Sequence, residues 1–153
     1  MILSRAGEYG IQIALQLAIG KRDGYMPVRE LAEETGIPFH FLVKICNRLT
    51  HSGILGSYKG PNGGVALSRS PEEIKLIQIV EALDGLEGFD RCVLGLDNCD
   101  DRIPCPLHDS WRGIKDRILT MFSAKTLSEL AEELTTGKTR MRLDRMRSAG
   151  GSS

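Results

Sequence analysis

Apolar positions over the first fifty residues recur at helical spacing. Tyr9, Ile13 and Leu17 form one stripe behind Ser4, which predicts a Ser-capped helix running to about Gly20. Val28, Leu31 and Ala32 predict a short second helix ending at Thr35, after which Gly36-Ile37-Pro38 turns the chain. A third helix follows, with Leu42, Ile45, Cys46 and Leu49 facing inward, and it stops at Ser52-Gly53. The period then drops to two. Residues 54–58 and 65–67 read as short strands around Lys59-Gly60-Pro61-Asn62-Gly63-Gly64, whose Asn-Gly pair favours a tight hairpin. Ser70-Pro71-Glu72-Glu73 combines an N-cap, a first-turn proline and a capping-box Glu; it predicts a helix carrying Ile74, Ile77 and Val80 and closing at Asp84-Gly85.

The twenty residues from Gly85 to Pro104 show no convincing period. Ordinary connections are ~4 to 6 residues long, so something must order this one. A helix beginning at Pro106 then spaces Leu107, Trp111, Ile114, Ile118 and Met121 by alternating steps of four and three, a heptad-like seam. Thr126-Leu127-Ser128-Glu129 is a second capping box, opening a helix with Leu130, Ala131 and Leu134 before Gly137. The expected fold class is mainly α with a small β-hairpin wing, a winged helix-turn-helix plus a long dimerisation helix. Its parts are a DNA-binding winged helix-turn-helix over 1–84, a cluster-binding loop over 85–105, dimerisation helices over 106–137 and a disordered tail over 138–153.

Composition changes this picture in two ways. The net charge is zero, but residues 1–70 carry +3, residues 71–137 carry −7 and residues 138–153 carry +4. A polyanion is therefore expected to meet the front of the chain. No stretch approaches the ~20 apolar residues of a membrane span, and the opening residues do not read as a signal peptide, so a cytoplasmic protein without a membrane partner is expected. Three of the four cysteines fall within the fourteen residues from Cys92 to Cys105. In a reducing compartment such a cluster points to metal binding or redox sensing rather than to disulfides.

A helix, a glycine turn and a second helix followed by a hairpin place the later helix in a DNA major groove. The face of the third helix opposite its core stripe presents His40, Lys44, Asn47, Arg48 and His51. Arg and Asn suit guanine and adenine edges, while Lys and His hold phosphates. The wing adds Ser57, Lys59 and Asn62, beside glycines that let the backbone approach a groove. The bland alternative is a solvated helix face. Cys46, between Ile45 and Leu49 on the apolar stripe, reads as core.

The loop motif is Cys92-x6-Cys99-x5-Cys105-x2-His108. With Cys105 next to Pro106 at a helix start, the macrodipole is expected to favour its thiolate and to keep His108 neutral as a ligand. Zinc sites usually contain a C-x2-4-C knuckle, which is missing, so the wider spacing favours an iron-sulfur cluster.

Together these residues resemble the Rrf-type bacterial repressors, the group that includes IscR, NsrR and RirA. The resemblance runs from Met1 to about Leu134. Its carriers are Ser4-Arg5-Ala6-Gly7-Glu8-Tyr9, Leu31-Ala32 to Gly36-Ile37, the wing glycines and the three cysteines. It implies a homodimer on a double-stranded DNA operator, and a cluster that reports iron-sulfur supply, iron, nitric oxide or redox state. It implies Cys92, Cys99 and Cys105 as ligands of a 2Fe-2S cluster, with 4Fe-4S as the other nuclearity. His108, or Glu8 from the partner chain, would be the fourth ligand. Lys59 stands where many relatives carry arginine, and lysine lacks the planar fork of a strong groove ligand. The competing readings are a regulator of the same fold using zinc or direct cysteine oxidation, and a protein-binding adaptor. A cysteine-dependent enzyme with Cys92 or Cys105 as nucleophile and His108 as base has no placeable oxyanion-donor loop or orienting acid.

Overall fold

The computed structural model describes residues 2–20, 23–97, 99–137 and 139. The expected disordered tail over 138–153 thus lies outside the described residues except for Thr139. The elements are α1 (Arg5–Gly20), α2 (Val28–Thr35), α3 (Phe39–His51), β1 (Leu55–Tyr58), β2 (Gly64–Leu67), α4 (Leu76–Asp84), α5 (His108–Ala124) and α6 (Leu127–Thr135). Single 3-10 turns lie at Pro71–Glu73 and Glu87–Asp90. Among the described residues no helix is long and apolar enough to cross a membrane.

Ser4 caps α1 as its sequence suggests: its hydroxyl oxygen accepts from Gly7 N at 3.1 Å. The same residue reaches across the fold, since Ser4 N donates to Asp84 Oδ2 at 2.9 Å. The α1 start is thereby tied to the end of α4. The two helices approach closely because α1 is smooth there. A Cβ on Gly10 would lie 2.1 Å from Leu83 Cδ1, and one on Gly7 would lie 2.7 Å from Asp84 Oδ2. The core runs through this contact: Ile13, Leu31, Leu42, Leu49, Ile54, Ile74, Ile79 and Leu127 are fully buried.

The hairpin pairs Leu55 with Leu67 through Tyr58 with Gly64, antiparallel. Its tip holds a turn in which Gly63 N donates to Gly60 O at 2.9 Å, with Pro61 and a left-handed Asn62 (φ 62°) at the centre. An isolated bridge from Met26 to Val65 fastens the wing to the segment before α2, Met26 N donating to Val65 O at 2.8 Å. Gly64 is required at this crossing: its φ is 153°, and a Cβ would sit 1.9 Å from Met26 O.

Three expectations change. The helix expected from Pro71 is broken: a 3-10 turn gives way to extended backbone at Ile74 and Lys75, and α4 begins only at Leu76. The break has a tertiary cause, because Lys75 bridges Thr126, Leu76 N donates to Lys125 O at 3.0 Å and Leu127 N to Ile74 O at 2.9 Å. Gln78 Oε1 then accepts from Lys75 N at 2.9 Å and closes the true start of α4. Secondly, α6, expected among the dimerisation helices, packs on α1 of its own chain with Leu127 buried in the core. Thirdly, α5 starts at His108, so Cys105 lies before its first turn.

Candidate DNA interface and cysteine centre

The outer face of α3 exposes His40, Lys44, Asn47 and His51, and its first turn contains no acidic residue. Arg48 is also exposed, but its guanidinium donates to the main-chain carbonyl of Leu83. Of the five polar residues on this face, Arg48 is the one held against its own fold. Ser57, Lys59 and Asn62 are all exposed on the hairpin.

The sequence pattern left out the aromatic residues that border this surface. Phe39 and Phe41 are 41% and 49% exposed at the start of α3. Arg29 lies over the Phe39 ring at 4.8 Å, and the His40 and Phe41 rings are 4.4 Å apart. At the wing, Tyr25 stacks on Tyr58 at 5.7 Å. Aromatic residues outside a core stripe were the signal that could have found them.

The cysteine centre is built where the chain from α4 meets α5. Phe89, in the 3-10 turn, is buried in the main core and anchors the near end of the loop. Trp111 Nε1 donates to Arg91 O at 3.0 Å and fastens the same stretch to α5. Cys92 is buried, while Cys99 and Cys105 are half-buried. Cys92 and Cys105 are near enough to perturb each other's ionisation. Cys99 Sγ lies 3.4 Å from Nδ1 of His108, a residue only 6% exposed. Cys99 and His108 thus form one pair by distance, while Cys105 is the neighbour of both Cys92 and Cys99. Among the described residues no three or more His, Cys, Asp or Glu side chains are gathered for one metal ion.

The electrostatics differ from the sequence expectation at Cys105. Its pKa is raised, first by burial and then by the neighbouring Cys92. Cys92 is the lowered thiol, chiefly because the backbone N–H of Leu94 hydrogen-bonds it. The backbone N–H of Leu107, the N-cap of α5, does hydrogen-bond Cys105 and pull its pKa down, but burial and the neighbouring Cys92 outweigh it. Cys46 sits in the core with its pKa pushed up to about 12 by burial. Glu8 is half-buried in the first turn of α1.

Residues 3–133 match the Rrf2 family, described as an iron-dependent transcriptional regulator. The chain is 30% identical to the HTH-type transcriptional regulator IscR of Pectobacterium atrosepticum, over 99% of this chain and 93% of that one. Its fold is similar to that of the oxidized form of Staphylococcus aureus CymR, with TM-score 0.70, 25% identity and coverage of 86% and 97% of the two chains. It is also similar to T. potens IscR, with TM-score 0.70 and 24% identity over 91% of this chain and 92% of that one. None of these likenesses points to an enzyme, and the chain belongs to the Rrf2 family of winged-helix, DNA-binding transcriptional regulators.

Proposed function

We propose that this regulator binds its operator as a homodimer and adjusts that binding through an iron-sulfur cluster held by Cys92, Cys99, Cys105 and His108. The observation that carries the reading is the approach of Cys99 Sγ to His108 Nδ1 at 3.4 Å, with Cys92 and Cys105 from the same stretch of chain perturbing each other's ionisation. The donor set fits the group: soft sulfurs with partial imidazole ligation occur at iron-sulfur centres. The missing C-x2-4-C knuckle favours 2Fe-2S over zinc, and the 3.4 Å approach of His108 Nδ1 to Cys99 Sγ favours His108 over the partner's Glu8 as fourth ligand. Bound there, the cluster would supply a redox- and iron-sensitive crosslink between α4 and α5.

His40, Lys44, Asn47, Ser57, Lys59 and Asn62 are the proposed DNA contacts, supported by their shared exposure on α3 and the wing. The homodimer is supported by Leu107, Ile114 and Met121, about half exposed and spaced by sevens along α5. Trp111 and Ile118, from the same expected seam, turn partly into their own chain.

A second reading has its own observation. Cys92 carries the lowered thiol pKa and has Cys105 as a neighbour that perturbs it, an arrangement suited to direct thiol oxidation. One experiment separates the two. Protein reconstituted anaerobically with iron and sulfide is assayed for bound iron, acid-labile sulfide and visible absorption, and operator affinity is measured with and without the cluster. A stable chromophore with matched iron and sulfide and a changed operator affinity supports the cluster reading; a colourless protein whose affinity changes on peroxide treatment supports thiol oxidation.

A further inference from the structure

Asp101 lies outside the cysteine motif, yet it is the only partner of the far side of His108 among the described hydrogen bonds. Its Oδ1 stands 2.8 Å from His108 Nε2, and the same oxygen accepts from Arg112 Nη1 at 3.0 Å. Arg112 is on α5 one turn beyond His108, so α5 supplies both the imidazole and the cation that holds the carboxylate. The opposite ring nitrogen, Nδ1, is 3.4 Å from Cys99 Sγ.

An ionised carboxylate is an acceptor only, so Nε2 must be the nitrogen that carries the proton. In the neutral ring Nδ1 then keeps its lone pair and accepts from the Cys99 thiol. Because the ring is buried, it cannot exchange these partners by turning over in solvent. We infer that Asp101, braced by Arg112, is a positioning residue that fixes the orientation and tautomer of His108 so that Nδ1 is the nitrogen presented to the cysteines. This rests on the cluster reading only in making Nδ1 the ligating atom. Carboxylates that hold the distal N–H of a ligating histidine commonly fix its ring and raise its basicity. The cation of Arg112, 3.0 Å from the same oxygen, acts in the same sense by holding the carboxylate in place.

The test uses the full chain with 15N-labelled histidine. In reduced, cluster-free protein at a pH above the usual imidazole range, His108 is expected to show a bare Nδ1 and an observable, solvent-protected Nε2 proton. Asp101→Ala should lose that proton signal to fast exchange, and Asp101→Glu should restore part of it. After reconstitution, pulsed electron paramagnetic resonance of the reduced protein should show strong coupling to 15N placed at Nδ1. Asp101→Ala should raise the reduction potential, because a less basic ligand stabilises the oxidised state less. A protonated Nδ1 in the wild type, an equally protected Nε2 proton in Asp101→Ala, strong coupling from Nε2 or an unmoved potential would each overturn the inference. Failure of the wild type to take up iron and sulfide overturns the cluster reading instead, and the cluster-free spectra still decide the role of Asp101.

Discussion

Arg48 of α3 donates to the carbonyl of Leu83 in the last turn of α4. The last carbonyls of a helix lack intrahelical donors and carry the negative end of its dipole, so a guanidinium is well matched to them. The contact fixes α3 against the end of α4, and Asp84, the next residue, is held by Ser4 at the α1 start. Replacing Arg48 with Met should lower stability by about 1 kcal/mol, the usual net value of a charge-assisted hydrogen bond less its exposure. Operator and unrelated DNA should weaken by the same factor. Urea unfolding and competition binding check this, and a selective loss for one base pair would instead show that Arg48 leaves Leu83 to read DNA.

Lys59 at the wing should act as a phosphate or groove contact without a packing role, since it is exposed. Lys59→Ala is expected to weaken operator binding and flatten its logarithmic salt dependence by about one. Lys59→Arg should tighten binding, because the planar fork bonds in two places. Titrations at several salt concentrations measure both, and an unaltered slope in the alanine variant would remove the wing from the interface.

The wing also needs its anchor. Gly64→Ala places a Cβ against Met26 O in a backbone region that disfavours side chains. A loss of about 1 to 3 kcal/mol is expected, together with weaker DNA binding. Full stability and affinity in this variant would mean that the Met26–Val65 bridge is dispensable.

The cysteines should separate by pH. A thiol reacts as its thiolate, so a lowered pKa moves the reactivity midpoint down and a raised one moves it up. In reduced, cluster-free protein, alkylation by a small reagent should begin at the lowest pH for Cys92, at higher pH for Cys105, and at neutral pH not at all for Cys46, whose thiol is pushed up to about 12. Limited access slows a buried thiol without moving its midpoint. Mass spectrometry across a pH series gives the order, and a Cys105 midpoint below that of Cys92 would restore the helix-end expectation.

Ile114 is 52% exposed on α5 and central to the apolar residues spaced by sevens. Ile114→Glu should give a folded monomer with lower operator affinity, read by analytical ultracentrifugation and circular dichroism. A dimer that survives this change would place the interface elsewhere.

The sequence by itself determined the first three helices, the caps at Ser4 and Thr126, the wing and the identity of the sulfur donors. Each is a local signal: a cap acts within three residues, a stripe repeats within four, and a turn needs only its own Pro, Asn and Gly. Tertiary structure decided what depends on distant partners. The same capping signal that succeeded at Thr126 failed at Ser70, because residues fifty positions downstream pull Ile74 and Lys75 into extended backbone. Arg48 looks like a DNA reader on a helical wheel, and only packing against α4 shows the carbonyl it serves. Spacing named Cys92, Cys99, Cys105 and His108, but the approach of Cys99 to His108, backed by Asp101, arises from how the loop closes between α4 and α5. A periodic pattern records which face is apolar; it does not record which polar groups meet when those faces are buried.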